Sequence, residues 1–236
     1  METISREIMN RSELADCSTD FLNNLSPAAL KDIESLGHKL SLPAGAVLFA
    51  EQEPSTGVYL IRGGEVKLTI NSSDGRRLIL RIAKPGEILG LTSALTGNLC
   101  EMTAETLYTS QLLSISRQDF LNFLMLHPEV YQTVTQELTR HLHIACEQLR
   151  TVALATTAPE KLARLFLDWS AGGQTTESGT RFRCSLTHEE IGEFIGTSRE
   201  TVTRTLTDFK HRRLVAFHGS TLMIPSRGAL ESLARS

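Results

Sequence analysis

The sequence predicts an α+β chain, with a β-sandwich or barrel first, one long helix after it, and a helical hairpin followed by two small strands near the C-terminus. Three observations carry this. The apolar period is two across residues 42–116, it changes to about 3.6 beyond Ser116, and two helix-start signals stand close together at Thr187 and Thr197.

The β region consists of short alternating runs punctuated by glycine, at 46–49, 58–62, 65–70, 78–82 and 109–114. Strands at such close spacing need a second sheet to cover their apolar face. Asp74-Gly75 sits between two of these runs, and glycine supplies the positive φ of a hairpin turn, so 71–75 reads as a hairpin connection.

Val130, Val134, Leu138, Leu142, Ala145, Leu149 and Val152 then recur every three or four positions, and neither Gly nor Pro interrupts 129–157, which predicts one long helix. Its stripe is narrow and close to a heptad seam. The simplest partner is the same helix from a second subunit, with Val134, Leu138, Leu142, Ala145, Leu149 and Val152 at the interface. The alternative is packing on its own sandwich. Residues 153–159 are small and end in Pro159, which suits the first turn of a new helix over 160–169. Residues 171–180, rich in Gly, Ser and Thr, read as an exposed loop.

A chain of 236 residues can hold two modest cores, and 41% hydrophobic with 22% charged residues is ordinary globular composition. No window offers the roughly 18 to 20 apolar residues of a membrane span, so a cytoplasmic location is expected. Cys17, Cys100, Cys146 and Cys184 have no Cys-x-x-Cys spacing and read as free thiols. With a formal net charge of -3, any nucleic-acid surface must be local rather than a property of the whole chain.

Such a surface is legible between residues 187 and 210. Thr187-His188-Glu189-Glu190 is a capping box opening a short helix with Ile191 and Ile195 on its apolar side. That helix stops at Gly196, and Thr197-Ser198-Arg199-Glu200 reads as a second capping box, so another helix follows after a tight turn. Two capped helices around a glycine turn make a helix-turn-helix, with Gly192 leaving room for a close crossing. The second helix presents Arg199, Thr203, Arg204 and Lys210 away from Val202 and Leu206. Arginine there can donate two parallel hydrogen bonds to guanine, and Glu200 can accept from cytosine N4. Residues 214–217 and 221–224, around His218-Gly219-Ser220, read as the strands of a wing.

Glu189-Glu190-Ile191-Gly192 through Arg204, followed by Arg212-Arg213-Leu214 and His218-Gly219, resembles the DNA-binding region of the CRP/FNR family of transcription regulators. Gly63-Gly64-Glu65-Val66 and Pro85-Gly86-Glu87 are similar to segments of that family's cyclic-nucleotide-binding β-roll, a jelly roll, and the long helix to its dimerisation helix. The resemblance runs from about residue 20 to about 230. It divides the chain into an N-terminal extension (1–20), a sensor β-roll with flanking helices (21–127), a dimerisation helix (128–157) and a winged helix-turn-helix domain (158–236). It implies a homodimer on double-stranded DNA and contact with RNA polymerase, for which 171–180 is one candidate surface. Base-edge contacts would fall to Arg199, Glu200 and Arg204, in a palindrome of TGTGA-like half-sites. Backbone contacts would fall to Thr187, Ser198, Thr201, Thr203, Lys210 and His218.

The resemblance also implies an effector pocket, and there the sequence departs from it. The Gly86-Glu87 pair that would hold a ribose is intact. The phosphate-binding arginine falls on Met102, beside Thr103, and the hydroxyl-bearing pair for adenine falls on Ala145-Cys146. A cyclic phosphate without its cation loses a charge-assisted contact, which argues against cyclic AMP; Arg76, Arg77 or Arg81 could substitute, but no motif places them there. An Fe-S cluster is disfavoured because Cys17 stands alone in the N-terminal region, and haem because no histidine lies between His38 and His127. Cys100 and Met102 read as packing, His141 and His143 face different directions on their helix, and Cys184 has only Arg181 and Arg183 near it, so no metal or redox cofactor is expected. A cupin-like enzyme would need histidines inside the strands, which are missing. A regulator with an empty pocket that acts constitutively stays open at this point.

Overall fold

A computed structural model describes residues 20–234. Cys17 and all of the expected N-terminal extension but Asp20 lie outside the described residues. The chain forms two compact units, one from residues up to 67 together with 82–140, the other from 68–81 together with 141 onward.

The first unit opens with α1 (Pro27–Leu36), capped by the Ser26 hydroxyl, which accepts from the Ala29 amide, with Pro27 in the first turn. Strands β1 (His38–Leu42), β2 (Val47–Phe49), β3 (Gly57–Gly63) and β6 (Ile88–Leu89) follow, while β4 (Val66–Asn71) and β5 (Arg77–Ala83) fall largely in the second unit. Then come α2 (Leu91–Thr96), β7 (Thr103–Thr106), β8 (Ser110–Ser116) and α3 (Arg117–Leu126). One antiparallel sheet has the order β1-β8-β3-β6, with Tyr59 opposite both Ser114 and Leu89. A second has the order β2-β7-β4-β5. All the strand runs expected from the alternation are strands, and the Asp74-Gly75 turn is a hairpin whose Gly75 has φ of 82°. The strands without a sequence signal, β1, β6 and β7, are short or weakly alternating. Val58, Leu60, Leu113 and Ile115 of the first sheet form the core with Phe21 and with Ile33, Phe120 and Phe123 of the helices.

The long helix is shorter than its sequence pattern. Helix α4 covers Val130–Leu149, a π-helical turn covers Arg150–Leu154, and Ala155 is extended. Continuation through 157 is prevented because the next helix claims those donors: the Glu160 carboxylate accepts from the Thr156 amide at 2.9 Å, and the Thr157 hydroxyl accepts from the Glu160 amide. The stripe also divides by burial. Val134 is 2% exposed and packs in the core beside Val130, with Leu138 partly against it. Leu142 and Leu149 are 66% and 65% exposed, and Ala145 is exposed as well. Val152 is half-buried, its side chain 3.2 Å from where a Cβ on Gly196 would stand.

The second unit is organised by α5 (Ala158–Ser170), which buries Leu162, Ala163, Leu165, Phe166 and Leu167. Its Trp169 meets Phe194 edge to face at 5.3 Å, and Phe166 lies 6.4 Å from Phe182. Residues 171–180 are not simply a loop. They contain β9 (Gln174–Thr176) and the start of β10 (Gly179–Arg183), paired antiparallel with Thr180 opposite Thr175. Gly179 permits this, since a Cβ there would stand 2.2 Å from the Ile224 carbonyl oxygen at a φ of 127°. Helices α6 (His188–Ile195) and α7 (Arg199–His211), strands β11 (Ala216–His218) and β12 (Thr221–Ile224), and α8 (Arg227–Ala234) complete the unit. Its sheet has the order β11-β12-β10-β9. The buried carboxamide of Gln148 donates to the Ile79 carbonyl at 2.9 Å and to the Phe194 carbonyl at 2.6 Å, tying the β4–β5 hairpin to α6.

Candidate nucleic-acid interface

Helix α6 begins as the sequence requires. The Thr187 hydroxyl accepts from the Glu190 amide at 3.2 Å, and the Glu190 carboxylate accepts from the Thr187 amide at 3.0 Å, a complete capping box. The same carboxylate accepts the Thr187 hydroxyl proton at 3.0 Å, so that hydroxyl has no proton left for a phosphate. Two residues after Glu190, a Cβ at Gly192 would stand 2.7 Å from the Thr197 carbonyl oxygen. Glycine is therefore what lets α7 cross α6 closely. Gly196 closes α6 in the left-handed region at φ of 65°.

The second cap lies one residue later than the sequence pattern suggests. Ser198, not Thr197, is the N-cap: its hydroxyl accepts from the Thr201 amide at 3.2 Å. Glu200 consequently falls at the second helical position and forms no capping box. Its own amide, the Ser198 hydroxyl and the Arg199 charge hold its carboxyl below the usual carboxylate range. Helix α7, which packs on α6, buries Val202, Thr205, Leu206 and Phe209 and leaves Arg199, Glu200, Thr203, Arg204 and Lys210 exposed. Arg199 and Thr203 are four apart, as are Glu200 and Arg204, so each pair stacks along one side of the helix. Among the described residues neither Arg199 nor Arg204 is held in an ion pair, whereas Arg212 pairs with Asp208 at 3.3 Å.

Of the expected backbone contacts, Ser198 and Thr203 are exposed and Thr201 is half-buried. Lys210 places its ammonium 4.8 Å from the centre of the Phe217 ring at the foot of the wing. His218 is exposed beside Gly219, where φ is 60°. His188, inside the first capping segment, makes a contact that its local spacing does not announce. Its Nδ1 lies 2.8 Å from the Thr203 hydroxyl and joins the start of α6 to the exposed face of α7.

The residues expected around an effector look different. Glu87 is 4% exposed, and its carboxylate accepts from the Lys84 amide at 2.9 Å and from the Arg140 guanidinium at 2.8 Å. Arg140 also donates to Glu137 at 2.7 Å. Burial works against the Arg140 charge, but the Glu87 and Glu137 carboxylates outweigh it and hold its pKa above the ordinary range. Gly86 has φ of 93°, Met102 is half-buried, and the Thr103 hydroxyl accepts from the Glu51 amide at 3.0 Å. On the long helix Ala145 and Cys146 are exposed and carry no hydroxyl. Arg76 pairs with Asp74 at 2.9 Å, and Arg81 lies 2.9 Å from the His141 ring nitrogen. The Glu87 carboxylate, which the resemblance would assign to a ribose, holds an internal arginine, and the position that it would assign to a phosphate-binding cation carries the thioether of Met102. Burial pushes the Cys184 thiol up to about 11, opposite to what a redox-active thiolate needs. Among the described residues no group of three or more His, Cys, Asp or Glu is placed to hold a metal ion, and no helix is long and apolar enough to cross a membrane.

Two family models match the chain, the cyclic nucleotide-binding domain over residues 39–127 and the Crp-like helix-turn-helix domain over 160–233. The CRP-like cAMP-activated global transcriptional regulator of Mycobacterium tuberculosis is 29% identical over 212 residues, covering 89% of this chain and 94% of that protein. The nitrogen fixation regulation protein FixK of Bradyrhizobium diazoefficiens is 25% identical over 226 residues, covering 94% and 93%. In fold, the chain is similar to a variant of CooA from Carboxydothermus hydrogenoformans, with a TM-score of 0.75 at 19% identity, over 92% of this chain and 96% of that one.

Proposed function

The chain belongs to the CRP/FNR family of transcription regulators, and on that footing we propose that it binds a palindromic DNA site as a homodimer, without cyclic AMP. It is a DNA-binding regulator, as its relatives are, and not an enzyme. The observation that carries the reading of its site is the exposed face of α7, where Arg199, Glu200 and Arg204 stand without internal ion-pair partners for the two arginines. Arg199 and Arg204 donate to guanine edges, and Glu200, held ionised, accepts from cytosine, in TGTGA-like half-sites. The exposed Leu142, Ala145 and Leu149 of α4 supply the apolar seam for a second copy, whose α7 reads the other half-site about one helical turn, roughly 34 Å, away. RNA polymerase is the further partner that this class of regulator implies.

The relative from Mycobacterium tuberculosis is cAMP-activated, but the residues that would take the nucleotide are altered here at Met102, Ala145 and Cys146, and Glu87 is engaged by Arg140. One experiment tests both halves of the proposal: selection from a pool of randomised duplexes by the full chain, with and without cyclic AMP. Enrichment of the same two-fold symmetric sequence in both arms is expected. An asymmetric site counts against the homodimer, and enrichment only with cyclic AMP overturns the effector reading.

A further inference from the structure

At its C-terminal end α4 presents two different faces. Leu149 is 65% exposed, whereas its neighbour Gln148 is 7% exposed and spends its whole donor capacity inside the protein. A carboxamide nitrogen carries two protons. Those of Gln148 go to the Phe194 carbonyl at 2.6 Å and the Ile79 carbonyl at 2.9 Å. Both partners are acceptors only, so the nitrogen and not the oxygen of the side chain must face them. Each acceptor belongs to a place that its own element leaves open. Phe194 lies in the last turn of α6, two residues before the Gly196 stop, where carbonyls have no helical amide four residues on. Ile79 lies on β5, the edge strand of its sheet. Two more contacts hold the same end of α6: Val152 lies 3.2 Å from where a Cβ on Gly196 would stand, and Trp169 meets Phe194 edge to face. All of these residues belong to the second unit, and so do Leu142, Ala145 and Leu149.

We propose that Gln148 is a positioning residue: by capping α6 from α4 it fixes the angle of the helix-turn-helix against the seam, and so sets the separation of half-sites that the homodimer accepts. This rests on the reading of Leu142, Ala145 and Leu149 as the seam. Gln148 acts from the interior and reads no base. One base pair more or less between the half-sites moves the second by about 3.4 Å and turns it by roughly a tenth of a turn around the duplex. A rigidly held α6 cannot follow that change, and a released one can.

The test titrates the full-length wild type, Gln148→Met and Gln148→Glu against duplexes with the selected half-sites at their selected separation, and with one base pair added or removed between them. Methionine keeps the length and loses both donors; glutamate keeps the shape and offers acceptors where donors are needed. Wild type should lose roughly tenfold in affinity on either change of spacing, and both variants less than about threefold, since two neutral hydrogen bonds are released. The sequence preferred within a half-site should stay that of wild type. A role in stability alone would lower affinity by the same factor at every spacing, and that result overturns the inference. It is overturned too if either variant, shown to be folded by thermal melting, keeps the wild-type penalty, or if wild type tolerates both changes of spacing. In wild type the two side-chain amide protons of Gln148 should exchange with solvent about tenfold more slowly than those of exposed carboxamides. Exchange at the exposed rate overturns the inference whether or not the variants fold. A wild type that binds a single half-site as tightly as a pair would instead refute the homodimer reading.

Discussion

The two halves of this molecule treat their cations in opposite ways. In the first unit Arg140 lies between Glu87 and Glu137, and Lys67, 7% exposed, pairs with Glu105 at 3.1 Å. On α7 Arg199 and Arg204 face solvent with no ion-pair partner among the described residues. A guanidinium already satisfied by two carboxylates offers an anion little, because taking it over leaves buried acids behind. An uncompensated guanidinium on a rigid helix gains from any polyanion that reaches it. The difference explains how a chain with a net charge of -3 can bind DNA. What counts is where the cations are left uncompensated.

Removing a cation should therefore have opposite consequences on the two sides. Arg140→Met removes the guanidinium that Glu87 and Glu137 share, and the cost to stability is about 3 kcal/mol, since loss of one member of a buried ion pair leaves its charge uncompensated. Denaturant unfolding measures it. The sequence preferred in DNA should not change, and a loss below about 1 kcal/mol would mean that the Arg140 cluster is solvated and the contrast overdrawn.

Arg199→Ala should do the reverse. Stability should stay within about 0.5 kcal/mol, as for exposed residues generally. Affinity should fall by about 1 to 3 kcal/mol at one guanine, with specificity relaxed at that base pair. Titration against a set of single-base variants of the selected duplex reads this directly. An equal loss on every duplex would reassign Arg199 to the phosphate backbone.

How much of this could be read from the sequence also differs between the halves, for a physical reason. The helix-turn-helix is made by neighbours: the cap from Thr187 to Glu190, the stop at Gly196 and the crossing at Gly192 each lie within a few positions of what they touch. Local patterns are enough to find them. The cap of α7 shows the resolution limit, because Thr197 and Ser198 both carry a capping hydroxyl and only the backbone distinguishes them. In the first unit the decisive contacts are distant. Arg140 reaches Glu87 across 53 positions, and no periodicity announces it. Val134 fits a dimer seam and a core equally well by spacing, and spacing alone does not show that it is buried. The substitutions at Met102, Ala145 and Cys146 were legible from the family pattern alone, whereas the arginine that engages Glu87 was not. The contact of His188 was not legible locally, because its partner Thr203 lies on the next helix.

The smallest expected effect concerns Glu200. A group whose pKa is depressed in the folded protein keeps its charge as pH falls, and loses it only when pH passes below that depressed value. The Glu200 carboxyl is held below the usual carboxylate range by its own amide, the Ser198 hydroxyl and Arg199. The positive end of α7, where it sits at the second position, favours its ionised form too. Between pH 8 and pH 5 it should therefore stay an acceptor for cytosine, and the ratio of affinities for duplexes with and without that cytosine should be flat. The ratio is the informative quantity, because any effect of pH that is common to all duplexes cancels in it. Glu200→Gln, which cannot titrate, supplies the reference line. A wild-type ratio that decays between pH 6 and pH 5 while the Gln variant's stays level would show the carboxylate titrating in its ordinary range or above. The face of α7 would then be a proton-sensitive reader, and not one whose charges are fixed in place before DNA arrives.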